Sequence, residues 1–116
     1  MTEIRQGQVY WLDFGPAAGS VPAERHPCVV VQNDVFNSSA IATTVVCLIT
    51  SNLSRAKAPG NVLLKKGEGN LPKASVVNVS QVLTVDKAEL EEYVGRLNSS
   101  SIASVRDGLH LLFERL

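Results

Sequence analysis

The chain has 116 residues, eleven basic and eleven acidic, a formal charge of +0, and 45% apolar residues. That is the length of one domain, expected over residues 1–116, able to bury an ordinary core; it lacks the global positive charge of a non-specific nucleic-acid binder. The longest apolar runs, such as Val45 to Ile49, fall far below the ~20 residues of a membrane span. The start "MTEIRQGQVYW" has no signal-peptide pattern, so a cytoplasmic protein without membrane contact is expected.

In chain order the elements are mainly strands. "GQVYWLDFG" (Gly7 to Gly15) reads as a glycine-bounded strand whose Tyr10, Trp11 and Phe14 could stack bases but, alternating within a strand, are more often core. A loop with Pro16, Gly19 and Pro22 carries the chain to Arg25 and His26, read as loop residues. "PCVVVQ" is a second strand, opened by Pro27 at a position where a proline is tolerated. Asn33 caps a short helical turn through Asn37. "TTVVCLITS" (Thr43 to Ser51), "NVLLKK" and "SVVNVSQVLTV" are the third to fifth strands, with the polar loop "NLSRAKAPG" and the turn "GEGNLPK" between them. "DKAELEE" suggests one or two helical turns and "YVGRL" a last short strand. From Ile102, apolar residues recur at Val105, Leu109, Leu112 and Leu116, the stripe of an amphipathic helix, with Ser99, Ser100 or Ser101 as cap. His110 beside this stripe is read as structural. Short strands with turn signals and a closing helix predict a mainly β fold, a small antiparallel barrel with the C-terminal helix packed on it.

Cys28 and Cys47 lie inside apolar strands and are expected to be buried and reduced. His26 and His110 stand far apart, so no metal site is expected, and no cofactor. Charge is unevenly spread. Residues 50–73 hold Arg55, Lys57, Lys65, Lys66 and Lys73 against Glu68 alone, net +4. Residues 86–92 hold four acids against Lys87, net −3. The basic middle can face an anion although the total is zero.

The candidate chemistry sits at strand ends. Arg25 carries a guanidinium fork that matches a phosphate, and His26 exchanges protons near neutral pH. "ITSN" places the Thr50 and Ser51 hydroxyls and the Asn52 amide at the mouth of the third strand, groups suited to phosphate oxygens or base edges. Ser80 and Gln81 add polar groups on the fifth strand. Arg55 and Lys57 follow "ITSN" and can reach backbone phosphates or unstacked bases.

The order "GQVYWLDFGPAAGS", a basic residue and proline before "CVVVQND", then "ITSN", "LPKASVV" and "SQVLTVDK" resembles the MazF/PemK/Kid family of toxin ribonucleases across residues 7–87. The resemblance implies an SH3-like, Kid/MazF/CcdB-type barrel, a homodimer, metal-independent cleavage of single-stranded RNA, and silencing by a partner antitoxin. The family's catalytic arginine stands immediately before the proline, where this chain has His26, with Arg25 one place earlier. The family's strand-end threonine corresponds to Thr50. An acidic residue of some members falls on Val21, and an arginine and an aspartate of another branch fall on Asn78 and Ser80. On that matching Arg25 would clamp the phosphoryl group, His26 transfer a proton and Thr50 orient the phosphate. Ser51, Asn52, Arg55, Lys57, Ser80 and Gln81 would bind substrate, and the products would be a 2′,3′-cyclic phosphate and a 5′-hydroxyl. Three readings remain open from sequence: His26 acting directly, Arg25 swinging into the missing place, or a catalytically weakened member. A CcdB-like, gyrase-binding toxin and an inert SH3-like interaction module are the alternatives of a different class.

Overall fold

The computed structural model describes residues 3–13, 15, 25–90 and 92–115. Phe14, Val21, Leu116 and the loop carrying Pro16, Gly19 and Pro22 lie outside them. The elements are β1 (Gln8–Asp13), β2 (Arg25–Val30), α1 (Asp34–Asn37), β3 (Thr43–Thr50), β4 (Val62–Leu64), β5 (Ser75–Asp86), β6 (Glu92–Arg96) and α2 (Ser99–Phe113). Turns of 3-10 helix occupy Leu53–Lys57, Glu68–Asn70 and Lys87–Glu89. One antiparallel sheet runs in the order β4-β5-β3-β2-β1-β6. Among the described residues, no helix is long and apolar enough to cross a membrane.

Strand alternation sorts the core into two faces. Val9, Val29, Cys47 and Ile49 point to one side, where Val77, Val79 and Val105 of α2 join them. Tyr10, Leu12, Cys28, Val30, Val46 and Leu48 point to the other, covered by Leu90 and Ile4. Because both faces are buried, "CVVV" and "VVCLI" read as nearly unbroken apolar runs. Each fully buried side chain of this size contributes about 1.5–3 kcal/mol.

The sheet curls into a half-barrel, and the turn after β4 reaches across to its far edge. Gly95 of β6 lies so close to that turn that a Cβ there would stand 2.5 Å from the Gly69 carbonyl oxygen. The Asn70 side-chain amide donates to the Val94 carbonyl at 3.0 Å beside it. The expected mainly β architecture with a packed C-terminal helix is therefore found.

Two details of that helix differ from expectation. Its cap is Asn98, whose side-chain oxygen accepts from the Ser101 N–H at 2.8 Å, because helical geometry already begins at Ser99. Its buried residues are Ser101, Val105 and Gly108, flanked by half-buried Ile102 and Leu109, while Leu112 is exposed. The packing face has rotated because Gly108 lets the helix backbone meet Gly60, whose φ of +76° makes a turn that favours glycine. His110 is exposed in the last turn, not packed beside the core.

Gly108→Ala would gain about 1 kcal/mol of helix propensity but drive a methyl into the Gly60 carbonyl. Overpacking of this kind costs typically about 1–3 kcal/mol. The expected net effect is a lower urea midpoint; a higher one would show that the contact is not tight. Burial raises both cysteine thiols from 9.0 to about 12. The unfolded chain then loses these protons first, so stability is intact below pH 9 and declines as pH rises from 9 towards 12. Denaturation midpoints across that range check this, with a Cys28→Ala, Cys47→Ala variant expected to flatten the slope.

Candidate active site

β2 keeps its ladder with β1 from Val29 down to Arg25, but its ladder with β3 ends at Cys28 opposite Leu48. Pro27 stands at that point and has no N–H to give a neighbouring strand. β2 and β3 part there, and a groove opens between them. Arg25 and His26 are thus strand residues, opposite Asp13 and Leu12, rather than loop residues as the sequence suggested. The reason is that β1 runs on to Asp13 and supplies their backbone partners.

Alternation decides which way these side chains face. His26 shares a face with Cys28 and Val30, and hence with Leu48 and Thr50 of β3. Extending the Cys28–Leu48 register by two residues sets His26 across from Thr50. Thr50 is held by its own ladder to Val76 of β5, and Leu48 by its pairing with Asn78.

Two lobes meet along this line. The first, an open cleft of about 620 Å³, is lined by His26, Thr50, Asn52, Arg55, Asn78, Ser80 and Gln81, with Leu48 and Ile49 as its apolar part. The second, about 400 Å³, is lined by Trp11, Arg25, His26, Thr50, Ser51 and Lys73 above an apolar floor that includes Pro27, Ile49 and Leu71. His26, Ile49 and Thr50 belong to both. The half-buried imidazole and hydroxyl therefore stand where the lobes join.

The far wall of the first lobe is a bulge in β5. Cys47 pairs with Val82 and Leu48 with Asn78, so Val79, Ser80 and Gln81 fall outside the register with β3. The period-two pattern expected along "SVVNVSQVLTV" is broken there. Asn61 replaces the missing ladder: its side-chain oxygen accepts from the Val79 N–H at 3.0 Å, and its amide donates to the Arg55 carbonyl at 2.9 Å. Asn78, almost fully buried, collects the rest. Its oxygen accepts from the Ser80 hydroxyl at 3.0 Å and from Asn61 at 3.4 Å, and its amide donates to Gln81 at 3.1 Å. Ser80 and Gln81 are presented to the cleft by this amide network.

The mouth of β3 is similarly fixed. The Thr50 hydroxyl accepts from the Asn52 N–H at 3.1 Å, which leaves its own proton to donate. Asn52 caps the 3-10 turn by accepting from the Ser54 N–H at 3.2 Å and the Ser54 hydroxyl at 2.7 Å.

Arg25 is engaged on the flank of the second lobe. Its guanidinium lies 5.0 Å from the centre of the Trp11 ring and is ion-paired with Glu92 of β6. Both side chains are about half exposed (50% and 58%), so the pair is worth only ~0–1 kcal/mol and yields readily to another anion. Of the residues expected from sequence, Arg25, His26, Thr50, Ser51, Asn52, Arg55, Ser80 and Gln81 all line the two lobes. Lys57 lines neither and sits exposed at the end of its turn. The sequence reading did not select Asn61 or Glu92; it read Trp11 chiefly as core and named Asn78 only as the place of another branch's arginine. An asparagine inside an apolar strand was a second signal for Asn78, beside that match. Asn61 and Glu92 gain their meaning only from residues far along the chain.

The curled sheet with its packed C-terminal helix is shared with solved toxin structures. MazF from Deinococcus radiodurans superimposes with a TM-score of 0.76 at 25% identity, covering 97% of both chains. An endoribonuclease from mycobacterial species, solved in complex with its cognate antitoxin, gives a TM-score of 0.73 at 23% identity, covering 96% of this chain and 93% of the other. In sequence, endoribonuclease MazF2 of Mycobacterium bovis is 40% identical over 111 residues, 96% of this chain and 97% of the relative. Endoribonuclease MazF of Staphylococcus epidermidis is 35% identical over 108 residues, 93% and 89% of the two chains. The model of the PemK-like, MazF-like toxins of type II toxin–antitoxin systems matches residues 5–113, and the chain belongs to that family.

Asn61→Ala would leave the Val79 N–H without its partner and loosen the bulge. An unsatisfied buried donor costs about 1–3 kcal/mol. The expected result is a lower denaturation midpoint together with accelerated amide exchange at Val79 to Gln81; unchanged exchange there would show that Asn61 does not hold the bulge.

Proposed function

We propose that this MazF-type endoribonuclease toxin cuts single-stranded RNA by attack of the substrate's own 2′-hydroxyl, without a bound metal, where the two lobes join. The observation that carries this reading is that His26 and Thr50 line both lobes, so a strand lying along the groove passes its phosphate between them. The 2′-oxygen bonds to phosphorus and the bond from phosphorus to the 5′-oxygen breaks. The 2′-oxygen loses a proton and the 5′-oxygen gains one. His26 exchanges the proton at the oxygen nearest it, and the solvent that fills this open cleft exchanges the other. Thr50 donates its free hydroxyl proton to a phosphoryl oxygen. Arg25, one residue before the place where the family carries its arginine, offers its guanidinium to the same charge once the phosphate outcompetes Glu92. General acid–base help is worth typically ~10²–10⁴-fold and one charge-stabilising donor ~10²–10³-fold.

Asn52, Arg55, Ser80 and Gln81 read the nucleotides in the first lobe, and Ser51 contacts the second. Lys57, outside both, adds to the long-range field with Lys65, Lys66 and Lys73, all exposed. The antitoxin of this toxin–antitoxin pair is an acidic chain that covers the basic groove and competes with RNA. The active particle is a homodimer, a reading supported by Leu63 on edge strand β4 and by Leu111, Leu112 and Phe113 at the end of α2, all exposed.

Incubation of the purified chain with a defined transcript in EDTA tests the activity: fragments ending in 2′,3′-cyclic phosphate and 5′-hydroxyl are expected. Intact RNA, or fragments with 5′-phosphate ends, would contradict the mechanism. His26→Ala and Thr50→Ala are each expected to lower kcat at least ~10²-fold with the fold retained by circular dichroism. Full activity in both would remove these two residues from the reaction.

A further inference from the structure

Beside Arg25, His26 and Thr50, which face the scissile phosphate, the second lobe carries features that suit a base rather than a phosphate. Trp11 lies on β1, paired in register with the acidic Glu92 of β6 on one side and with Pro27 of β2 on the other. Its ring is only half buried, in a sheet whose other central aromatic, Tyr10, is almost fully buried. An indole left partly open beside an arginine is a surface with two flat, polarisable faces. Lys73 and the Ser51 hydroxyl stand on the same lobe, and Leu71, Pro72 and Ile49 make its floor apolar. The lobe therefore combines a flat stacking surface, a dry floor, a cation and a hydroxyl, and it joins the first lobe at His26 and Thr50.

We propose that the Trp11–Arg25 pair is a stacking platform for a nucleobase of the RNA, the one beside the scissile linkage on the side of the second lobe. Lys73 takes the phosphate that follows it. Glu92 acts as a positioning residue: by pairing with Arg25 it keeps the guanidinium alongside the indole until RNA enters. Aromatic and guanidinium faces accept any base, so this platform adds affinity and registers the strand, while the amides of the first lobe discriminate sequence. The inference rests on the ribonuclease reading of the groove, and its test separates the two.

Trp11 is the chain's one tryptophan, so its emission reports this platform alone. The probe is a short single-stranded RNA spanning a mapped cut site, with the 2′-hydroxyl at the scissile nucleotide replaced by hydrogen to prevent cleavage. Binding, followed by anisotropy of a dye on the probe, should quench Trp11. The quench should vanish when the base at one position next to the cut is made abasic, and persist for abasic positions on the other side. Loss of the stack should weaken binding roughly 5- to 150-fold in Trp11→Ala, with Trp11→Phe close to wild type and the abasic probe insensitive to either change. Saturable binding with unaltered emission, or a quench that no abasic position removes, would overturn the platform and leave the ribonuclease reading standing. Failure of the wild-type chain to cut any RNA would overturn that reading and the platform with it.

Discussion

At Pro27 one strand loses its neighbour on one side while keeping it on the other. β2 stays bonded to β1 as far as Arg25, yet its pairing with β3 stops at Cys28. A residue without an N–H stands where the two ladders diverge. Strand alternation, which continues past that point, then holds His26 on the same face as Thr50 although the register between β2 and β3 ends at Cys28. The groove is rigid for this reason: each wall belongs to a strand anchored elsewhere in the sheet, β2 by β1 and β3 by β5. Sites carried by such elements keep their geometry better than sites carried by loops.

The second wall is a departure from regular structure, and it is held by side chains. Where the register of β5 against β3 shifts, backbone groups would be left without ladder partners in a half-buried setting, a costly arrangement unless other donors and acceptors take over. Asn61 takes over for the Val79 N–H, and Asn78 gathers the side chains of Ser80 and Gln81. Asn61 in turn follows Gly60, on which α2 rests through Gly108. The C-terminal helix is thereby joined to the groove by direct backbone contact. Packing that looks merely structural, a glycine in a helix against a glycine in a turn, sets where Ser80 and Gln81 stand.

The groove is shared by charges of both signs. The basic excess of residues 50–73 reaches the first lobe through Arg55 and the second through Lys73, while Glu92 from the acidic segment reaches Arg25 at the second. A chain with no net charge can thus attract a polyanion to one end of its sheet while a weak internal ion pair keeps its most valuable guanidinium in place.

Much of this was legible in the sequence, for reasons that differ from residue to residue. Unbroken runs such as "CVVV" announced buried strands, and Asn33 announced the cap of α1, its side-chain oxygen accepting from the Val35 N–H at 2.8 Å. Thr50, Asn52 and Gln81 were legible as polar groups at strand ends or beside apolar neighbours. The strand character of Arg25 and His26 was not legible, because it depends on how far β1 extends. The β5 bulge was hidden because its cause, Asn61, lies 18 residues from Val79. The helix face was misjudged at Leu112 because periodicity shows which residues share a side, not that a glycine will turn that side. The partnership of Arg25 with Glu92 spans strands at opposite ends of the chain and leaves no local trace.

The central claim is that an imidazole and a hydroxyl, from strands that part company, act together on one phosphodiester. A double-mutant cycle on single-turnover cleavage measures this directly. Groups that act as a unit lose most of their benefit when either is removed. The variant lacking both His26 and Thr50 side chains should therefore cleave about as slowly as the worse of the two single variants. Losses that multiply would mean that the two residues work at separate places, and the shared site described above would be wrong.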